Sequence, residues 1–207
     1  MKPLLLLPLI PFFLFAGCSQ PPAERGHKKI LVLGDSLTEG QGLESSKVFP
    51  AALERLIREK GFPEVAVTAD GVSGATTDNG VERLSNRLAA GKFDILILEL
   101  GANDGLNGKD LKQTRKNLTD MILKAKASGC QVLLAGMRVP PLNGLDYMKD
   151  FRDLFPDLAQ EQQVRLVPFL LKEVAGKPRL NLDGVHPNEE GHRQVAETVF
   201  KYLEPML

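Results

Sequence analysis

The sequence predicts an α/β protein in three layers, with helices on both faces of a five-stranded parallel sheet. Apolar, strand-like runs alternate with segments of helical periodicity five times along the chain, without an internal repeat or a linker. One of these runs, Phe93 to Leu100, is so continuously apolar that it belongs at the centre of a sheet covered on both faces. Polar, glycine-rich residues also stand directly after the first three strands: Gly34-Asp35-Ser36, Asp70 to Thr76, and Gly101 to Gly105. In an open parallel sheet those strand ends share one edge, where the crossovers leave the sheet and open a crevice.

Composition limits the partners before any motif is read. With 207 residues, 43% of them hydrophobic, the chain can bury a full core without disulfides or metals. Lys plus Arg and Asp plus Glu are equal at 26 each and no basic block occurs, which argues against nucleic acid or an anionic membrane surface and for a small molecule. The first 17 residues stand apart. Lys2 precedes an apolar run from Leu4 to Ala16, interrupted by Pro8 and Pro11 and too short to span a bilayer, as in a secretory signal peptide. Phe15-Ala16-Gly17-Cys18 resembles the bacterial lipobox, so residues 1–17 are expected to be removed and Cys18 to carry acyl chains. Residues 18–28 then form the lipidated Cys and a tether, with a solvated His27, and residues 29–207 the folded domain. The expectation is then a monomer in a bacterial cell envelope, facing the periplasm and touching a membrane only through Cys18; an ordinary signal peptide cut nearby would instead leave it periplasmic or secreted. Ser19 after Cys18, rather than an aspartate, leans toward the outer membrane.

The elements follow in order. Ile30 to Leu33 is the first strand, and Phe49, Leu53, Leu56 and Ile57 fall on one helical face that closes at Gly61. Glu64 to Ala69 alternates as a second strand, and a helix carrying Val81, Leu84 and Leu88 leads to the central strand. Leu111, Leu118, Ile122 and Ala125 mark the next helix, stopped at Gly129, and Gln131 to Ala135 is the fourth strand. Cys130, just ahead of it, reads as a small core residue. Met137 to Tyr147 is a loop, followed by a helix through Phe151 and Leu154 and a short fifth strand at Val164 to Val167. Pro168 to Val174 reads as a short helix. Asn188 to Leu203 reads as the terminal one, with Val195, Val199 and either Tyr202 or Leu203 inward and His192 at the surface or half-buried.

The chemistry begins at Ser36, a hydroxyl at the end of a buried strand, though outside the G-x-S-x-G elbow pattern. A serine is inert at its own pKa and needs a base, an orienting acid and oxyanion donors. Asp183 and His186, three apart in a loop punctuated by Gly184 and Pro187, are close enough for the carboxylate to hold one ring nitrogen while the other takes a proton from Ser36. A polar turn capping a helix, or a metal pair, would use the same residues, but no further His or Cys is placed to complete a metal site. Gly74, Asn103 and the Ser36 N–H are candidate oxyanion donors. Taken singly, Gly74 is also a turn former and Asn103 a loop cap. Asp35 is expected to fix the turn at the nucleophile through backbone N–H groups, and Asp104 to brace the Asn103 loop. Leu142, Leu145 and Tyr147 either contact an acyl chain or pack their loop onto the domain.

Taken together, Gly34-Asp35-Ser36-Leu37, Ser73-Gly74-x-Thr76, Gly101-x-Asn103-Asp104 and Asp183-Gly184-x-His186-Pro187 resemble the four ordered blocks of the GDSL esterases, or SGNH hydrolases. Arg138-Val139-Pro140 and Leu166 to Leu170 resemble the bacterial acyl-CoA thioesterase, lysophospholipase and arylesterase branch. The resemblance implies a flavodoxin-like SGNH fold and hydrolysis of an acyl ester or thioester without a cofactor. It implies Ser36 as nucleophile, His186 as base, Asp183 as its orienting acid, and Ser36, Gly74 and Asn103 as the oxyanion hole. An acetyl esterase acting on envelope polysaccharide would use the same machinery, and a lipoprotein that kept the fold for binding would not need both a base and its orienter.

Overall fold

Apolar Ile30 to Leu33 lie at the heart of strand β1 (Lys29–Gly34) and are wholly buried, as are all five residues of β3 (Ile95–Glu99) beside it. The computed structural model describes residues 27–207, so the expected signal peptide, Cys18 and most of the tether lie outside the described residues. His27, expected to be solvated, is largely exposed and pairs with Glu64 at 3.0 Å. The sheet runs in the order β2-β1-β3-β4-β5 and every pairing is parallel, with β2 Ala66–Gly71, β4 Gln131–Ala135 and β5 Arg165–Val167. β3 occupies the centre, as its continuous apolar run requires.

The helices are α1 (Ser36–Glu39), α2 (Phe49–Glu59), α3 (Thr77–Ala90), α4 (Ala102–Leu106), α5 (Leu111–Ala127), α6 (Leu145–Glu161) and α7 (Glu189–Leu203). From β1 the chain steps outward to β2 and then crosses back over β1 to β3, continuing one way to β5. Crossovers of one hand put α2 on one face and α3, α5 and α6 on the other. The packing of α2 on α7, α3 on α5 and α5 on α6 agrees. The reversal leaves its crevice outside the carboxyl ends of β1 and β3, and it is there that Ser36 and Asn103 emerge.

Four expectations are corrected. The second strand lies two residues later than Glu64 to Ala69, because its ladder with β1 pairs Lys29 with Ala66 and Gly34 with Gly71. As an edge strand it is only partly covered, so its own pattern marks its ends poorly. Pro168 to Val174 forms turns rather than a helix: Gly136 accepts from Leu170 N at 2.9 Å and donates to Val167 O at 2.8 Å, tying the segment to the end of β4. Gly101 to Gly105 contains helix α4. Leu145 and Tyr147 belong to the first turn of α6, only Pro141–Asn143 making a 3-10 turn before it. In α7 it is Leu203 that is fully buried, with Tyr202 at the margin. Cys130 is buried, its thiol donating to Phe93 O at 3.0 Å, and burial raises its pKa.

Candidate active site

Chain geometry places the serine. Strand β1 ends at Gly34, and Asp35 caps the four-residue α1 by accepting from Leu37 N through Oδ1 at 3.0 Å. Ser36 is thereby held at the first position of a helical turn at the sheet edge, and Gly40, at φ +83°, ends that turn in a left-handed conformation.

His186 reaches it from the opposite end of the chain. Its loop is drawn closed by a bridge between Asn181 and Pro187, with Leu182 N donating to His186 O at 2.8 Å. Asn181 Nδ2 donates to Lys177 O at 2.8 Å, and the Asn188 side chain accepts from Gly191 N at the head of α7. Inside this frame Asp183 Oδ2 lies 2.8 Å from His186 Nδ1, and His186 Nε2 lies 3.0 Å from Ser36 Oγ. Asp183 Oδ1 accepts from the N–H groups of Val185 and His186, each at 2.7 Å. The ring bond of His186, then these two backbone N–H groups, pull the Asp183 carboxyl down to about 2. It is therefore a fixed negative charge behind the imidazole.

Three further groups border the serine. Gly74 sits in the loop after β2 at φ +75°, with open space where a Cβ would be. Neither its N–H nor that of Ser36 has a hydrogen-bond acceptor among the described residues. Asn103, on α4, points its amide nitrogen at Ala75 O (3.0 Å) and Asp35 Oδ2 (3.2 Å). The second distance is at the long limit for N–H···O, so that hydrogen can be shared with an incoming acceptor. Asp104 anchors α4 to the neighbouring helices, accepting from Thr77 N at 2.9 Å, Thr77 Oγ1 at 2.6 Å and Thr114 Oγ1 at 3.3 Å.

The apolar candidates separate. Tyr147 is partly buried and its hydroxyl donates to Lys109 O at 2.8 Å and Asp104 O at 3.3 Å, which ties the start of α6 to the end of α4. Leu142 and Leu145 are 71% and 69% exposed. Between them Asn143 donates to Gly105 O at 3.0 Å, so both leucines ride on a segment docked against the helix that carries Asn103. Val72, Leu182 and Val185 are the exposed apolar residues nearest in sequence to Gly74 and Asp183. An open groove of about 310 Å³ runs along the Gly74 loop, bordered by Val72, Ser73, Asn79 and Arg83. The larger depression around Cys130, Gln163 and Arg165 is at the opposite edge of the sheet and holds none of these groups.

Sequence reasoning missed several residues that support this site. Glu39 accepts from the N–H and hydroxyl of Ser73, pinning the Gly74 loop to α1. Arg83 donates to Gly34 O at 3.1 Å and pairs with Asp70 at 2.7 Å, bracing the ends of β1 and β2. Glu99 stands fully buried beneath the nucleophile turn. Its signal was available as the acid set between Leu98 and Leu100, inside the apolar run before Gly101. His192, expected at the surface or half-buried, is fully buried, and its Nδ1 accepts from Phe49 N at 3.2 Å. Residues 192, 195, 196, 199 and 203 share one helical face, so the period of the buried side chains includes it. Among the described residues no cluster of His, Cys, Asp and Glu could hold a metal ion.

A doubly wound parallel sheet carrying a Ser-His-Asp array and unoccupied N–H donors at its switch point defines a hydrolase of the serine type. The profile of the GDSL-like Lipase/Acylhydrolase family matches residues 32–194, and the chain belongs to that family. It is 41% identical over 199 residues to an arylesterase of Vibrio mimicus, a match covering 96% of each chain. It is 34% identical to thioesterase 1/protease 1/lysophospholipase L1 of Escherichia coli K12, over 86% of this chain and 84% of that one. The crystal structure of TesA superposes with a TM-score of 0.82 at 35% identity, covering 87% of this chain and all of that one. The protein is a carboxylic ester hydrolase of the GDSL esterase and thioesterase type.

Proposed function

We propose that this enzyme cleaves acyl esters and thioesters through an acyl intermediate on Ser36. The observation that carries this is the unbroken line Asp183 Oδ2 to His186 Nδ1 (2.8 Å) and His186 Nε2 to Ser36 Oγ (3.0 Å). His186 accepts the Ser36 proton as Oγ bonds to the acyl carbon, and Asp183 holds the ring in the tautomer that leaves Nε2 free. The carbonyl oxygen takes up the negative charge against the N–H groups of Ser36 and Gly74 and the Asn103 hydrogen that Asp35 holds only loosely. Collapse breaks the bond to the leaving alcohol or thiol, which takes the proton from His186. Water then repeats the cycle and releases the acid. No step needs a cofactor.

For the acyl group, the exposed Leu142 and Leu145 beside α4, with Val72, Leu182 and Val185, support an apolar chain lying across the open edge of the sheet rather than in a deep cavity. The expectation of an aryl, lysophospholipid or thioester substrate rests on the likeness to the arylesterase and the thioesterase/lysophospholipase.

The test is hydrolysis of p-nitrophenyl esters of increasing chain length by the wild type and Ser36→Ala. The variant should lose at least about 10³-fold in kcat while unfolding as the wild type does. A variant that keeps its rate removes Ser36 as nucleophile. A profile peaking at acetyl would turn the substrate reading toward small acyl groups.

A further inference from the structure

Beneath the nucleophile turn lie two carboxyl groups that ordinary charge pairing does not explain. Glu99 ends the central strand at 0% exposure, and its Oε2 accepts from Thr38 Oγ1 at 2.7 Å and from Asp35 N at 3.2 Å. Its Oε1 accepts from no N–H or hydroxyl among the described residues, which leaves that oxygen free to carry a proton itself. The Asp35 side chain, 1% exposed, lies alongside in hydrogen-bonding contact with that of Glu99. Among the described residues no cation pairs with Glu99: Arg83 is spent on Asp70 and Gly34 O. The space is made for this pair, because a Cβ at Gly34 would overlap both Thr38 Oγ1 and the Glu99 carboxyl.

Two carboxylates cannot share a dry contact without a proton between them, and an isolated buried carboxylate with an orphan oxygen is strongly disfavoured. Asp35 cannot be the one that is chiefly protonated without weakening its own role, since it accepts at both oxygens, from Leu37 N at Oδ1 and from Asn103 Nδ2 at Oδ2. Burial first, and then the Asp35 charge, push Glu99 far up, while Asp35 stops at about 6 because Leu37 N–H, Glu99, His186 and Arg83 all favour its ionised form.

We infer that Glu99 works as a buried carboxylic acid, donating its proton to Asp35, and that the pair positions Asn103 and the Ser36 turn for the reaction. Glu99 is a positioning residue, not a catalytic one: it acts through Asp35, which touches both the α1 turn and the Asn103 amide. The inference rests on the proposed roles of Ser36 and Asn103. Its effect belongs in kcat, because the oxyanion hydrogen bonds matter in the transition state more than in substrate binding.

The experiment compares Glu99→Gln, Glu99→Leu and Ser36→Ala on one ester and records infrared difference spectra of wild type minus Glu99→Gln at pH 8. Gln keeps an oxygen for Thr38 and Asp35 N and donates an N–H permanently to Asp35, so it should stay within about threefold of wild type. Leu should lower kcat on the order of 10- to 100-fold, less than outright loss of an oxyanion donor, with KM little changed. The wild type should show the carbonyl band of a protonated carboxyl that the Gln variant lacks. Glu99→Gln as impaired as Glu99→Leu, a Leu variant with unaltered kcat, or a missing band each overturns the inference. If Glu99→Leu does not fold, the band and the Gln variant decide alone. An active Ser36→Ala would instead bring down the underlying assignment of the nucleophile.

Discussion

Gly34 shows how a single position is set by what lies under it. The residue before the Asp-Ser pair is in ordinary extended backbone, so its φ demands nothing; the crowding of Thr38 and Glu99 against its α-carbon does. Gly34→Ala must push the Glu99–Asp35 pair aside. We expect a loss of roughly 1 to 3 kcal/mol in denaturant-induced unfolding, together with a lower kcat. Full stability and rate in that variant would mean that the pair has room to move. The nucleophile, base and orienting acid were legible because short-range spacing carries them: Ser36 follows its strand directly, and Asp183 needs only three residues to reach His186. Glu99 was hidden by the same apolar run that made β3 easy to read. Its meaning comes from Asp35 and Thr38, more than sixty residues earlier, which no local pattern connects.

At the level of elements, strand and helix order was readable throughout, while the ends were set by neighbours. Strand β2 takes its register from β1, and the turns after β5 take their shape from Gly136. The start of α6 was misplaced because Pro140, Pro141 and Gly144 look like loop, yet the helix begins directly after Gly144, at φ +95°. That boundary matters to specificity. With Tyr147 fastened to Lys109 O and Asp104 O and Asn143 to Gly105 O, the 3-10 turn and the first turn of α6 make a fixed platform, and Leu142 and Leu145 are its exposed apolar surface. Fully burying a leucine stabilises by about 1.5 to 3 kcal/mol, so partial cover by an acyl chain is worth several-fold in rate. Leu142→Ser with Leu145→Ser should therefore lower kcat/KM for long-chain p-nitrophenyl esters about three- to tenfold relative to acetate. A parallel drop for all chain lengths would take both leucines out of acyl recognition.

For the molecule as a whole, the core holds titratable groups whose demands oppose one another as pH changes. Burial, with a smaller contribution from His186, lowers His192 from its ordinary 6.5 to about 4. Between those values the unfolded chain binds a proton that the folded chain refuses. The stability due to neutral His192 is thus complete above about 6.5 and is lost as pH falls toward 4. Asp35 works the other way: raised from 3.8 to about 6, it favours the fold below 3.8, and that contribution is lost as pH rises through about 6, with Glu99 following higher still. Asp183, near 2, titrates below this window. The His192 and Asp35 slopes offset one another, but from about 4.5 upward the raised Glu99 adds a second falling slope, so the wild type should be level near pH 4 and lose stability gently from there to pH 6. His192→Gln separates them, since the amide oxygen can still accept from Phe49 N, the bond that joins α7 to the head of α2. Freed of the histidine, the variant should become steadily less stable from pH 4 to 7. Its stability relative to wild type should fall by up to roughly 3 kcal/mol over that range. Denaturant unfolding of both proteins at pH 4.5 and 8 measures this. A difference that does not change with pH would show that His192 carries the same charge in the folded and unfolded chains, and that the acid-side balance of this core rests on Asp35 and Glu99 alone.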